Sequence, residues 1–260
     1  MGNEADAVLG EKLEGGIFVI RLNRPTRKHA LTKAMYIELS RQLEVAERDR
    51  TVRVLLITGS ADCFCSGNDL EDFLQRPPRD ENSPVFRFLR VLNRLQKPLV
   101  AAVNGHAVGI GTTLLLHCDL VYASAGARFK LPFVGLGCCP EGGSSLLLPR
   151  TLGQRQAAEL LLLGNGFDAA KAQQLGLVNT VSDSPDALAT ALDSARQLAQ
   201  QPPAAVRLSK RMMKAVDADT LDRVLVEEAR QFCARLQSGE AAEALRAFAE
   251  RRAPDFSRFE

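Results

Sequence analysis

Three stretches of the chain are runs of β-branched and aliphatic residues with almost no polar alternation: residues 52–58, Leu99–Val103 and residues 120–123. A strand with one wet face alternates apolar and polar side chains. A run without that alternation suits a strand covered on both faces, the habit of parallel sheets. Gly59 closes the first run and Asn104-Gly105 the second, and a helical pattern at about residues 111–117 precedes the third. The order strand, helix, strand, helix, strand is that of an α/β fold. Upstream, Val8–Leu13 and Ile17–Leu22, joined by Glu14-Gly15-Gly16, predict a β-hairpin that ends at Arg24-Pro25. Thr32 is placed to cap a helix running to about Arg50, with Met35, Leu39, Leu43 and Ala46 on one face. The polar loop 75–84, with Pro77-Pro78, is the candidate mobile segment. After Glu141 the pattern becomes helical, at residues 144–150, 154–163, 168–175, 186–201, 204–215, 220–237 and 240–252, with a short strand at 177–181. The expected organisation is a core over residues 1–200 and a helical region over 201–260.

Composition bounds the function. With 46% hydrophobic residues, 260 residues are enough for a sizeable core. A net charge of only +2 gives no electrostatic footprint for nucleic acid. No apolar run approaches the roughly 20 residues that span a bilayer, and residues 1–14 are mixed and acidic. The terminal Ser257-Arg258-Phe259-Glu260 is not a Ser-Lys-Leu address, so the expected location is cytoplasmic and off the membrane. The six cysteines and three histidines lack zinc-ligand spacing, so no metal is expected and the cysteines are read as small buried thiols.

Two glycine-containing segments carry the chemistry. Phe64-Cys65-Ser66-Gly67-Asn68-Asp69-Leu70 and Asn104-Gly105-His106-Ala107-Val108-Gly109-Ile110-Gly111 each follow a buried strand and lead into a helix. Glycine permits a sharp turn and a close ligand approach. Each helix start leaves N–H groups without intrahelical acceptors. Two such donors meeting at one point would form an oxyanion hole, although ordinary strand-to-helix turns have the same local sequence.

Those segments, with Leu22-Asn23-Arg24-Pro25, Lys97-Pro98, Ala102-Val103-Asn104-Gly105 and Cys118-Asp119-Leu120, occur in the order and spacing of the crotonase (enoyl-CoA hydratase/isomerase) superfamily, which the chain resembles over nearly its whole length. The resemblance implies a crotonase-type spiral of ββα units with a C-terminal helical trimerisation region. It implies an acyl-coenzyme A thioester as substrate, no separate cofactor, and a homotrimer or dimer of trimers. It makes the backbone N–H groups of Asn68 and Ile110 the oxyanion donors, at positions where Ala and Gly are common. The two glutamates of the family's hydratases fall on Thr113 and Phe133, so that acid–base pair is absent.

One carboxyl remains in a suggestive place. Glu141 sits between Pro140 and Gly142-Gly143, and the nearest charges in sequence are Lys130 and Arg150. Burial there would raise its pKa toward a range useful for moving protons. The run Pro140-Glu141-Gly142-Gly143-Ser144-Ser145 resembles the Pro-Glu-Gly-x-Ser-Ser element of peroxisomal-type Δ3,Δ2-enoyl-CoA isomerases and the crotonase-like domain of chromodomain-Y proteins. The competing reading is a helix-start Glu stabilised by the dipole. By the same resemblance, Arg27, Lys28 and the Ala30 backbone lie beside the nucleotide, and Ser66, Asp69 and Leu70 flank the adenine and pantetheine path. Thr113 and Phe133 line the acyl site, and Phe248 and Arg251 match positions that can reach a neighbouring subunit's CoA. The reaction implied is an isomerisation with Glu141 as base. A silent acyl-CoA-binding module, a hydratase or a thioester hydrolase remain alternatives.

Overall fold

The structure is a computed structural model that describes residues 6–259. Strands β1 (Val8–Leu13) and β2 (Ile17–Leu22) form the expected antiparallel hairpin. A single 3-10 turn (Pro25–Arg27) leads to α1 (Lys33–Arg48), where Thr32 Oγ1 accepts the Met35 N–H. There follow β3 (Val54–Thr58), β4 (Cys63–Cys65), α2 (Leu70–Gln75), α3 (Pro84–Arg94), β5 (Leu99–Val103), β6 (His106–Val108) and α4 (Ile110–Thr113), which tightens into a 3-10 turn (Leu114–His117). The chain continues through β7 (Leu120–Ser124), β8 (Arg128–Lys130), a 3-10 turn (Val134–Leu136), α5 (Ser144–Leu152), α6 (Gln154–Ala158), β9 (Phe167–Asp168), α7 (Ala169–Gln174) and β10 (Thr180–Ser182). Helices α8 (Leu188–Gln200), α9 (Pro203–Ala215), α10 (Ala218–Leu236) and α11 (Gly239–Ala249) complete it.

Two sheets organise these elements. The larger has the order β1-β2-β3-β5-β7-β10 and is parallel beyond the hairpin; the smaller has the order β4-β6-β8-β9. Each of the pairs β3/β4, β5/β6 and β7/β8 sends its first strand to the large sheet and its second to the small one. That repetition is the ββα spiral of the crotonase fold. The unalternated strands are covered on both faces. Leu55, Ile57, Leu99, Ala101 and Val103 face the main core, while Val54, Leu56, Val100 and Ala102 face α8. Helix α8 presents Ala191, Ala195 and Ala199 at every fourth residue, and these small side chains let it lie close to the sheet.

Several recurrent motif residues turn out to be braces. Lys97 Nζ donates to the Ala46 and Asp49 carbonyls at 2.6 and 2.7 Å, closing the C-terminus of α1. Asp119 Oδ2 accepts the Leu99 N–H and pairs with the buried Lys210 at 2.6 Å, tying β5 to α9. Asn104 binds Asp186 Oδ1 and the Ala187 N–H, fixing the start of α8.

The structure corrects the sequence reading at four elements. The small sheet was not legible residue by residue, because its strands are only two or three residues long. Helix α3, which begins with a proline in its first turn, is not among the helices expected from the sequence, which places only the loop 75–84 in that region. The helix expected over 154–163 gives way after Ala158 to a π-helical turn, Glu159–Leu163. The strand expected at 177–181 is Thr180–Ser182. Among the described residues, no helix is long and apolar enough to cross a membrane.

Candidate active site

Strands β4 and β6 are parallel neighbours in the small sheet, with Cys65 opposite Ala107. Asn68 lies three residues beyond the first of these and Ile110 three beyond the second. Adjacent strands run about 4.8 Å apart, so the two segments leave the sheet side by side and at the same level. Glycine makes this approach possible. A Cβ on Gly67 would lie 3.1 Å from the Val108 carbonyl oxygen, and one on Gly111 would lie 2.6 Å from that of Cys65. The direction of the donors follows from the pairing. Leu31 bridges Asn68 in parallel, its N–H donating to Gly67 O while its carbonyl accepts from the Asp69 N–H. In that pattern the N–H of Asn68 itself points away from Leu31. Ile110 is the first residue of α4, so its N–H has no intrahelical acceptor.

The Asn68 side chain is held as well. Its Oδ1 accepts from the Tyr36 hydroxyl at 2.5 Å. Tyr36 is buried on α1, rests against Phe88 at 5.7 Å, and lines a cleft of about 510 Å³ with Leu31, Phe73, Val85 and the 75–84 loop. Burial, with Cys65, Glu141 and Asp72 nearby, raises its pKa.

Glu141 is 3% exposed. Its Oε1 accepts from Thr113 Oγ1 at 2.5 Å, and its Oε2 is buried without a partner among the described residues. Burial pushes the carboxyl up to about 8; the Thr113 hydrogen bond opposes the rise and Glu228 adds to it. The helix-start alternative does not hold. The Gly143 and Ser145 N–H groups at the beginning of α5 donate to Glu228, at 2.6 and 2.9 Å, not to Glu141. The loop is pinned further by Ser144 Oγ, which donates to the Glu141 carbonyl at 2.7 Å, and by His117 Nε2, which donates to the Gly142 carbonyl at 2.8 Å. Burial lowers His117 to about 4, so the imidazole is neutral. The charge-poor surroundings read from sequence are therefore corrected in one respect: α10 brings a second buried carboxyl, Glu228, to this loop.

The segments expected at the nucleotide end lie together. Ser66 N–H donates to the Lys28 carbonyl, and Leu31 N–H to that of Gly67. Asp69 is buried, caps α2 by accepting the Asp72 N–H, and pairs with Arg24 at 2.6 Å, so its carboxylate is already engaged. Leu70 begins α2. Arg27 is exposed and meets Glu71 at 3.1 Å; Lys28 sits in the left-handed region. The Ala30 carbonyl accepts from Arg24 Nη1 at 3.0 Å. His29 is buried, its Nδ1 accepting the Arg24 N–H and its Nε2 facing Ser60 Oγ, so it belongs to the scaffold. Phe133 is buried in the main core, whereas Phe248 and Arg251 are exposed at the end of the chain.

Burial disfavours the thiolate at all six cysteines. Burial lifts Cys138 to about 12 and Cys139 to about 11. The expectation that all six are buried is corrected: Cys118, Cys138 and Cys139 are only half-buried. Among the described residues no group of His, Cys, Asp and Glu gathers to hold a metal.

A family model described as enoyl-CoA hydratase/isomerase matches residues 12–258. The chain belongs to the enoyl-CoA hydratase/isomerase family. It is 37% identical over 252 residues to the 1,2-epoxyphenylacetyl-CoA isomerase of Escherichia coli, covering 94% of this chain and 96% of that one. It is 36% identical over 246 residues to human enoyl-CoA delta isomerase 2, covering 92% of this chain and 62% of that one. The structure of Pseudomonas aeruginosa OdaA superimposes with a TM-score of 0.90 at 50% identity, covering 94% of this chain and 98% of that one. Sequence reasoning missed two residues that touch the candidate site of this enoyl-CoA hydratase/isomerase family member, Tyr36 and Glu228. The first had no local signal. The second did: Leu221, Leu225, Glu228 and Phe232 share one helical face, and a carboxylate in an apolar stripe marks a buried charge with a task.

Proposed function

We propose that the protein moves the double bond of a 3-enoyl-CoA to the 2-trans position, with Glu141 as its single base. The observation that carries this reading is the Glu141 carboxyl: buried, raised to about 8, with Oε2 free, and with no hydratase-type carboxyl at Thr113 or Phe133. Glu141 takes a proton from C2, and the electron pair of that C–H bond enters the thioester to give a dienolate. The negative oxygen is received by the Asn68 and Ile110 N–H groups. The same carboxyl returns the proton to C4, leaving the double bond between C2 and C3. One group suffices because the proton leaves and rejoins the same molecule. A base near 8 is matched to a weakly acidic C–H better than an ordinary carboxylate would be.

The 510 Å³ cleft beside Tyr36 and Asn68 is the space we assign to the acyl chain. The contiguous Arg27–Leu31 and Ser66–Leu70 segments are assigned to coenzyme A, with Arg27 and Lys28 toward its phosphates. Substrate comes without a separate cofactor. A homotrimer or a dimer of trimers is the assembly that suits the exposed apolar residues Leu208, Met212 and Met213 along α9 and Val216 just after it. The test is turnover of 3-hexenoyl-CoA in deuterated water. Isomerisation gives 2-hexenoyl-CoA; hydration adds the mass of water, hydrolysis releases free CoA, and a silent module gives no product. Any of the last three outcomes sinks the proposal.

A further inference from the structure

Glu141 and Glu228 lie on either side of one glycine pair, both buried, yet they are treated in opposite ways. Glu228 reaches from α10 to the start of α5, where its Oε2 accepts the Gly143 N–H at 2.6 Å and its Oε1 accepts the Ser145 N–H at 2.9 Å. Glu141 is three residues before α5 and has one hydroxyl partner and one bare oxygen. The start of α5 is the nearest strong site for a carboxylate, since its N–H groups are unsatisfied within the helix and carry the positive end of the dipole. Glu141 is the carboxyl closest to it in sequence. It does not occupy that place because Glu228 already does. Gly143 also packs directly on α10: a Cβ there would lie 2.5 Å from Leu221 Cδ1, so the loop and the helix that delivers Glu228 are in contact.

We propose that Glu228 is a positioning residue for Glu141: by taking both N–H groups at the start of α5, it keeps the Glu141 carboxyl turned from the helix with one oxygen bare. The proposal rests on the reading of Glu141 as the base. Other titratable groups near Glu141 do not serve this purpose. Tyr36 from α1 and Cys139 from the preceding loop are pushed up and stay protonated, and His117 is pushed down and stays neutral. Glu228 is the remaining carboxyl; burial raises its own pKa against the Gly143 and Ser145 hydrogen bonds, and in accepting those two N–H groups it denies Glu141 the donors that would stabilise a negative charge, while its ionised form repels one.

The experiment uses the full chain labelled with carboxyl-13C glutamate, with the Glu141 signal identified by its loss in Glu141→Gln. Glu228→Gln removes the charge, and Glu228→Leu removes both charge and acceptors while keeping bulk at a buried site. In the unaltered protein Glu141 is expected to titrate near 8. In either variant the midpoint should fall by about one pH unit or more, a tenfold change in proton affinity. The acid limb of kcat/KM for 3-hexenoyl-CoA should move down in step. An unchanged midpoint in a folded variant overturns the proposal, even if the melting temperature drops. So does a midpoint in the ordinary carboxylate range with Glu228 intact, which is read without any variant. A midpoint that shifts in a protein that does not isomerise 3-enoyl-CoA would leave the positioning in place and remove the assigned reaction.

Discussion

Replacing Glu141 with glutamine should make the protein inactive and, above neutral pH, more stable. The folded carboxyl sits at about 8 against an ordinary value of 4.5. In the unfolded chain it ionises near 4.5, so between these two values the unfolded state holds fewer protons than the folded one. Stability is therefore lost as pH rises through that window and levels off above it. The separation is worth about 5 kcal/mol above pH 8 and about 3 kcal/mol at pH 7, both order-of-magnitude upper figures. Glutamine has nearly the same shape and does not ionise, so it escapes this cost, less whatever its amide loses beside Thr113. For a chain of this length 1 kcal/mol moves the melting temperature by roughly 2–4 °C. The gap between variant and parent should thus be small at pH 5 and widen by roughly 10 °C by pH 8.5, in scanning calorimetry across that range. Turnover of 3-hexenoyl-CoA should fall by about 10²–10⁴. Glu228 is also raised by burial and is present in both proteins, so its own burial cancels in the difference; its repulsion with Glu141 does not, and losing it adds to the gap. A melting-temperature gap that stays constant from pH 5 to 8.5 would refute the placement of Glu141 as a strained, neutral carboxyl.

Three further outcomes follow from the same geometry. Thr113→Val removes the hydrogen bond that holds Glu141 down, so the acid limb of the rate profile should move to higher pH and turnover at pH 7 should fall by about tenfold. Ile110→Pro deletes one N–H at a first-turn position where proline is tolerated; kcat should drop about 10²–10³-fold with the fold intact by circular dichroism, whereas Asn68→Ala keeps its N–H and should cost far less. Asp69→Ala loses both the α2 cap and the Arg24 pair, and should destabilise the protein by about 1–2 kcal/mol in urea unfolding while raising KM more than it lowers kcat.

Much of the large sheet was legible because burial on both faces writes itself into the sequence: Leu55 and Leu56 are both apolar since each has a different core to fill. The small sheet escaped the same reading. A two- or three-residue strand such as His106–Val108 is shorter than any periodicity, and only the resemblance to a ββα spiral implied it. Helix α3 was hidden by the polar loop before it, although Phe86, Phe88, Leu89 and Leu92 form a clear face. At the site, the backbone donors were legible as glycine-spaced turns. The second buried carboxyl beside Glu141 was not, since Glu228 lies 87 positions away and meets the loop through the packing of α10 on Gly143 and through the Gly143 and Ser145 N–H groups.

The proposed thioester hole and the proposed base rest on different kinds of support. The proposed hole belongs to topology: β4 and β6 pair in parallel with a shift between Cys63 and Cys65, Gly67 and Gly111 let their extensions approach, and the donors are backbone groups rather than the side chains at 68 and 110. The base belongs to side-chain contacts from α4, α10 and the turn before β7. These contacts also crowd position 113 against the Glu141 carboxyl. Thr113 is fully buried, its Oγ1 already touches Glu141, and its Cβ lies 3.0 Å from where a Gly142 side chain would begin. A glutamate at 113 would extend into the volume that Glu141 fills and place two carboxyls within sharing distance of one proton. On the proposed reading, Thr113 leaves room for the Glu141 carboxyl, and a chain built this way would keep the thioester site without the second carboxyl that adding water needs.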